Sequence, residues 1–206
     1  MQNPGDSLRL FIALDLPGEV AKNIARLVRD LAGRLEGVRW TPNANLHLTL
    51  KFLGRVETEC VPRIQNCLDR AAGRHLPLAL SLGGLGAFPG GRNPRVIWTG
   101  VGEGREKLVG LAEDLDHGLA ELGFPREVRN YNPHLTLGRV KSGRSFSANI
   151  FRREIERRER ESLGAFNPDV IVLFKSTLTP KGAIHRIVSR HRAKDQMNHN
   201  VKTEPA

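Results

Sequence analysis

Apolar positions along the chain follow two different periods, which predict alternating strands and helices. Residues 8–17 are almost continuously apolar and end at a proline, which is typical of a buried strand. Residues 19–35 instead place Val20, Ile24 and Leu27 on one helical stripe. The same criteria predict further helices over residues 58–72, 103–122 and 147–161, and strands over residues 38–40, 47–53, 78–85, 95–101, 131–140, 170–178 and 183–188.

This order of elements predicts an α+β fold with mixed or antiparallel sheets. The strands at residues 47–53 and 131–140 lie in similar blocks, which indicates a duplicated unit. We therefore expect two lobes around a central cleft, with each lobe lending one of these strands to the cleft. We expect residues 1–194 to form one bilobal domain, and the polar residues 195–206 to be a disordered tail.

Composition narrows the class of partner. The net charge of +10 over 206 residues favours a polyanion such as nucleic acid. No apolar run is long enough to cross a membrane, and residues 1–18 lack the pattern of a signal peptide. The two cysteines are too few for a disulfide framework. This cysteine content fits a reduced, cytoplasmic setting, and we expect a monomer. We expect no metal or cofactor, because neither metal-ligand spacing nor a glycine-rich phosphate loop is found.

One tetrapeptide, HLTL, occurs twice: at residues 47–50 (the first motif) and at residues 134–137 (the second motif). Side chains alternate between the two faces of a strand. His47 and Thr49 should therefore share one face, as should His134 and Thr136, while the leucines point into a core. A single His-x-Thr on a strand is a weak signal, since many solvated strands carry such residues. Two copies in similar blocks indicate a shared functional site.

Two imidazoles and two hydroxyls suit phosphodiester chemistry without a metal. Histidine titrates near neutral pH, so one ring can accept a proton while the other donates one. The hydroxyls of Thr49 and Thr136 can donate hydrogen bonds to phosphoryl oxygens as negative charge develops. The residues alone leave open which histidine is the acid and which is the base.

Several separated stretches resemble the two-histidine (2H) phosphoesterases, and within them the RNA 2′,3′-cyclic phosphodiesterases, also described as 2′-5′ RNA ligase-like proteins. They are RLFIALDLP, VRWTPNANLHLTLKFLG, GAFPGGRNPRVIWTGV, PHLTLGRV and IVLFKSTLTPKG, in this order along residues 9–182. The resemblance implies a bilobal fold with a pseudo-twofold axis. It also implies hydrolysis of a 2′,3′-cyclic phosphate at an RNA end, tRNA fragments included, to a 2′-phosphate. His47 would be the proton donor, and His134 the proton acceptor that activates water.

Other residues near the motifs are candidate substrate contacts. The resemblance favours a phosphate-contacting role for Arg139, although strand alternation turns it away unless Gly138 allows a bulge. Lys51 has the parity of Thr49, so it should face the cleft, either as an RNA contact or as a solvated lysine. Trp40 and Tyr131 adjoin the motifs and could stack on a base.

Two further positions qualify this picture. Phe52 is a further candidate for stacking on a base, but it has the parity of the motif leucines, which argues for the core. His185 stands where the related proteins often have a tyrosine or another aromatic residue. That substitution affects how this wall of the cleft would contact a nucleotide.

Three alternatives stay open at this point. The same chemistry could act on a small cyclic nucleotide, or it could run backwards as 2′-5′ ligation of tRNA halves. A non-catalytic RNA-binding module could also keep the cleft, although binding alone does not require two titratable rings. Such a module would bind RNA with a strong salt dependence and would show no turnover.

Overall fold

The computed structural model describes residues 7–91, 93–141, 146–180 and 182–193; the tail predicted at residues 195–206 lies outside them. The helices in this part of the chain are α1 (Gly18–Ala32), α2 (Val61–His75), α3 (Arg105–Ala120) and α4 (Ala148–Arg157). The strands are β1 (Ser7–Leu14), β2 (Val38–Trp40), β3 (Leu48–Glu57), β4 (Leu80–Phe88), β5 (Val96–Val101), β6 (His134–Val140), β7 (Ser162–Phe166), β8 (Val170–Thr179) and β9 (Gly182–Arg192).

These strands form two sheets, and each sheet carries one HLTL motif. The first sheet has the order β3-β1-β8-β9, and the second has the order β2-β6-β5-β4-β7. Every pairing described between the strands is antiparallel. The predicted α+β architecture with two sheets is therefore confirmed, with antiparallel sheets rather than mixed ones.

Strand β1 is buried on both faces, which explains its nearly continuous apolar sequence. Leu10, Ile12 and Leu14 enter a large core cluster that includes residues of both sheets. Phe11 and Ala13 point the opposite way, into a smaller cluster with Val170, Val172 and Phe174. The aromatic rings of this smaller cluster lie on the side of the sheet that bears His47.

The predicted elements are found within a few residues, with two local differences. Strand β7 was not predicted: it is short, it contains Gly164 at a positive φ, and its pairing with β4 defines it as a strand. Helix α2 begins at Val61, and not at residue 58 as predicted. Residues 58–60 instead form a 3₁₀ turn. None of the described helices is long and apolar enough to cross a membrane.

Both motif strands contain a β-bulge at the same motif position. In the pairing of β3 with β1, Leu50 has no Cα partner, because Ile12 lies opposite Lys51 and Ala13 opposite Thr49. In the pairing of β6 with β5, Leu137 is skipped in the same way. An extra residue in a strand reverses the alternation of the side chains that come after it. The bulges therefore decide which residues after each motif face the cleft.

Candidate active site

His47 lies just before β3, after the 3₁₀ turn Asn43–Asn45. Its ring is half-buried, with its centroid 4.8 Å from that of Phe11 and 5.3 Å from that of His185. Burial is the main cause that lowers the pKa of His47 to about 4, and the nearby His185 ring adds to the effect. A hydrogen bond to the backbone of Asn45 acts in the opposite direction. His47 is therefore neutral at pH 7 when no substrate is bound.

His134 opens β6, with its ring edge-on to Phe88 at 4.9 Å between centroids. Its Nδ1 lies 2.7 Å from the backbone oxygen of Asn132. A carbonyl can only accept a hydrogen bond, so Nδ1 carries the proton and Nε2 of the neutral ring is left as an acceptor. Burial lowers the pKa of His134; the hydrogen bond to Asn132 acts in the opposite direction, and the positive charge of Arg139 lowers the pKa further. The ring is thus prepared to accept a proton.

A cavity of about 740 Å³ opens between the two sheets and contains parts of both motifs. The chemistry-bearing residues that line it from the first sheet and the turn before it include Arg9, Phe11, His47, Thr49, Phe52 and His185, together with Asn45, Ser176 and Thr179. Those from the second sheet are Arg39, Trp40, Thr136 and Arg139. His134 does not line the cavity itself; it precedes Thr136 by two residues, on the same face of β6.

The bulge at Leu137 turns Arg139 toward the cavity, as the hypothesis of a bulge at Gly138 anticipated. A side chain on Gly138 would collide with Trp40 and Val38, since a Cβ there would lie 2.9 Å from each of them. Glycine therefore lets β2 pack closely on β6 and keeps Trp40 at the cavity wall. Arg139 and Trp40, two of the four predicted substrate contacts, both line the cavity.

The prediction that Lys51 faces the cleft is wrong. The bulge at Leu50 reverses the alternation, so Lys51 is only 4% exposed. Its ammonium pairs with Asp116 of α3 and donates a 3.0 Å hydrogen bond to the carbonyl of Pro125. Burial alone would raise the pKa of Asp116, but hydrogen bonds from Lys51, the Glu127 amide and Arg126 outweigh it and lower the pKa. Lys51 thus anchors β3 to α3.

The same bulge reverses the assignment of Phe52. Strand parity placed its ring in the core, yet the side chain is 61% exposed and lines the cavity. A broad aromatic ring on a cavity wall is able to stack on a nucleobase. Strand parity wrongly argued against Phe52 as a stacking candidate, because parity holds only along a regular strand.

Tyr131 does not line the cavity, which contradicts the proposed stacking role. Its hydroxyl donates a 2.7 Å hydrogen bond to the backbone oxygen of Thr49, inside the first motif. Burial raises the pKa of this phenol, so it stays protonated and remains a donor. Two more hydrogen bonds lie beside the cavity: Asn45 Nδ2 donates to the Ala183 oxygen of β9 at 2.8 Å, and the Thr41 amide donates to the Leu137 oxygen of β6 at 2.8 Å. Tyr131 is therefore a link between the motifs.

His185 lies in the cavity wall beside His47. This is the position at which related proteins often have a tyrosine or another aromatic residue. Its Nδ1 is buried without a hydrogen-bond partner among the described residues. Burial, followed by the charge of Arg9, lowers its pKa, so this ring is also biased toward the neutral form. Among the described residues, no group of three or more His, Cys, Asp or Glu side chains is placed to hold a metal ion.

Comparison with known proteins places this geometry in a family. The family model for LigT-like phosphoesterases matches the chain twice, at residues 14–98 and 100–185, so each match contains one motif. This double match agrees with the duplicated unit predicted from the repeated tetrapeptide.

Curated relatives share most of the chain. An RNA 2′,3′-cyclic phosphodiesterase of Methanocaldococcus jannaschii is 37% identical over 183 residues, which is 88% of this chain and 98% of that protein. A protein of the same name from Archaeoglobus fulgidus is 37% identical over 179 residues, covering 87% of this chain and 97% of its own length.

Solved structures agree with the fold. A Thermus thermophilus protein superposes with a TM-score of 0.75 and 27% identity, covering 90% of this chain and 98% of that one. E. coli LigT complexed with 3′-AMP gives a TM-score of 0.69 and 26% identity, covering 91% and 98%. The resemblance inferred from the motifs is confirmed: the chain belongs to the LigT-like phosphoesterase family.

Proposed function

We propose that this phosphoesterase hydrolyses 2′,3′-cyclic phosphate ends of RNA to 2′-phosphomonoesters, with His47 and His134 as its acid and base. The observation that carries the proposal is the cavity shared by the two motifs, with Thr49 on one wall and Thr136 and Arg139 on the other. The names of the relatives support RNA as the substrate class. The 3′-AMP bound to E. coli LigT supports a nucleotide ligand.

The proposed reaction begins at His134. Its Nε2 removes a proton from a water molecule, whose oxygen attacks the cyclic phosphorus. The bond from phosphorus to O3′ breaks, His47 donates a proton to O3′, and the phosphate stays on O2′. The hydroxyls of Thr49 and Thr136 and the guanidinium of Arg139 stabilise the charge that builds up on the non-bridging oxygens.

The low pKa of His47 bears directly on its role as an acid. A free ring with a pKa of about 4 holds almost no proton at pH 7. An anionic phosphate beside the ring favours the charged form and raises its pKa. Substrate binding would thus load the proton that His47 later donates, while the Nδ1 bond of His134 to Asn132 keeps its Nε2 free to act as the base.

The test is the product made from a short RNA that ends in a 2′,3′-cyclic phosphate, incubated with the protein and a chelator. A 2′-phosphate end is expected, together with a bell-shaped dependence of rate on pH. A 3′-phosphate end would keep the two-histidine chemistry but reverse the leaving oxygen. Turnover that requires an added divalent metal, or salt-dependent binding without turnover, would contradict the mechanism.

The alternatives are separated by further substrates in the same assay. Faster turnover of a cyclic mononucleotide than of an RNA end would point to a small-molecule phosphodiesterase. Joining of tRNA halves through a 2′-5′ bond would show the reverse reaction. In that direction the two histidines exchange roles, since the donor of one direction is the acceptor of the other.

A further inference from the structure

Two arginines lie side by side in the wall of the cavity. Arg39 of β2 and Arg139 of β6 are direct Cα partners in the antiparallel pairing of these strands. Residues directly opposite each other share one face of a sheet, with Cβ atoms about 5 Å apart. Both side chains are exposed and both line the cavity. Like charges in this arrangement destabilise a sheet, so we expect the pair to have a function that offsets this cost.

No carboxylate compensates this pair in the part of the chain that the structure describes. Neither arginine takes part in any ion pair found there. None of the residues that line the cavity is Asp or Glu, and Arg9 adds a third guanidinium from the first sheet. The cavity therefore attracts anions, and it carries more cationic side chains than one phosphoryl group can satisfy.

The position of the two arginines separates their tasks. Arg139 comes after Thr136 on the same strand, and its charge acts on His134, so it lies beside the reacting phosphate. Arg39 lies one strand farther out, on β2 at the edge of the second sheet. A second anionic group placed next to the reacting one would meet Arg39 first. Guanidinium groups bind phosphate oxygens with two parallel hydrogen bonds, which suits such a place.

We propose that Arg39 binds the phosphodiester that joins the terminal nucleotide to the one before it, so the site recognises an RNA end rather than a mononucleotide. This rests on the proposed function and names the part of the substrate that sets specificity. In an RNA chain, the anion nearest to the cyclic phosphate is this linkage. The series Thr136, Arg139, Arg39 thus follows the substrate from its reacting end into the chain.

The experiment compares Arg39→Ala with the unaltered protein on three substrates: adenosine 2′,3′-cyclic phosphate, the same nucleotide with a 5′-phosphate, and the dinucleotide ApA with a 2′,3′-cyclic end. Loss of one charge-assisted contact should lower kcat/KM roughly 10- to 100-fold on the two substrates that carry the extra phosphate. It should change kcat/KM less than about twofold on the plain cyclic nucleotide. Arg39→Lys, which keeps the charge, should recover part of the loss.

Salt provides a second readout. Removing one phosphate contact should reduce the slope of log kcat/KM against log salt on the dinucleotide, because salt screens one charge pair fewer, and should leave the slope on the plain cyclic nucleotide unchanged. Arg63→Ala is the matched control, because it removes one exposed charge from α2, outside the cavity. It should leave both the substrate ratio and the slope unchanged.

Equal losses on all three substrates would overturn the proposal, since Arg39 would then support the reacting phosphate or the fold. A loss on the dinucleotide alone would overturn it too, because the upstream nucleoside would be the group recognised. Binding of adenosine 2′-phosphate and of ApA 2′-phosphate to the His134→Ala variant repeats the comparison without turnover. If the unaltered protein hydrolyses none of the substrates, the proposed function fails. The ratio of the affinities for adenosine 2′-phosphate and ApA 2′-phosphate, measured with and without Arg39→Ala, still shows whether Arg39 binds the linkage.

Discussion

The two motif strands share a backbone conformation and differ in the side chains that come after it. Each has His-Leu-Thr-Leu and then a bulge on the second leucine. The next residue is Lys51 in one strand and Gly138 in the other, and the one after that is Phe52 or Arg139. Because both bulges reverse the alternation, Phe52 and Arg139 occupy equivalent places in the cavity wall. One half offers a flat apolar ring, and the other a cation.

The surroundings of the two histidines are alike in one respect and differ in another. Each ring bonds to the backbone of the asparagine two residues before it and lies against an aromatic ring, but only His134 has its pKa lowered by an arginine, Arg139. The duplicated unit has thus diverged at the equivalent positions Phe52 and Arg139, where the ring is suited to a nucleoside and the guanidinium to phosphate. An asymmetric substrate needs this difference, since a symmetric cleft could not fix its direction.

The strongest test of the comparison removes the groups that the halves share. His47→Ala or His134→Ala should each lower kcat roughly 10²- to 10⁴-fold, because each ring transfers one proton in the transition state. Circular dichroism and the thermal midpoint should show that both variants stay folded. Rates near those of the unaltered protein in either variant would refute the two-histidine mechanism.

The residues directly after the bulges should separate stability from binding. Lys51→Met leaves Asp116 without its buried ammonium partner and should lower the free energy of unfolding by about 3 kcal/mol, measured in urea. The KM for RNA should not change while the protein is folded, because Lys51 lies outside the cavity. A raised KM with unchanged stability would show that Lys51 contacts the substrate in the cleft.

The pair Phe52 and Arg139 provides a test of polarity. Phe52→Ala should weaken substrate binding by about 1 to 3 kcal/mol, the value of one base–aromatic stack, with an unchanged salt dependence. Arg139→Ala should lower kcat/KM by a factor that corresponds to a similar free energy. It should also reduce the dependence of kcat/KM on salt concentration. Steady-state kinetics at several salt concentrations would reveal the two patterns. Identical patterns in both variants would refute the division of tasks between Phe52 and Arg139.

Acid should destabilise the protein through the buried rings. Unfolded histidine has a pKa near 6.5, whereas folded His47 has a pKa of about 4, so the unfolded chain binds more protons between these values. Stability is therefore complete above pH 6.5 and falls as the pH drops toward 4, on the order of 1 to 3 kcal/mol from this group. Urea unfolding across this range would measure it. His47→Gln should flatten the dependence, and an unchanged slope would contradict the assignment.

The smallest expected effect concerns the link between the halves. Tyr131→Phe removes one hydrogen bond to the Thr49 oxygen and should lower the free energy of unfolding by about 1 kcal/mol. The shape of the ring is kept. A loss of activity in the folded variant would therefore come from movement of the first motif. A variant with unaltered stability and activity would show that the bond does not hold the motif.

The sequence predicted the parts of the fold that depend on local pattern. The apolar run of β1, the helical stripe of α1 and the paired motifs needed no knowledge of distant contacts. Period-two alternation also placed Thr49 and Thr136 on the walls of one cavity. These features are specified by residues within one element.

The remaining features depend on contacts between elements. A bulge reverses the side chains that directly follow it, and single-strand parity therefore failed for both Lys51 and Phe52. Asp116 lies 65 residues from Lys51, so nothing near the lysine in the sequence signals that pair. Comparison of the two copies could have found Phe52, since it stands at the place of Arg139 counted from each histidine.

Tyr131 is the only tyrosine in the chain, and its hydroxyl joins one half of the cleft to the other. Biosynthetic incorporation of fluorotyrosine would therefore place a single ¹⁹F label at the contact between the motifs. Its resonance would report whether the contact between Tyr131 and Thr49 changes when a substrate binds, without any engineered substitution in the active site. The protein thus contains its own spectroscopic reporter of the contact between the motifs.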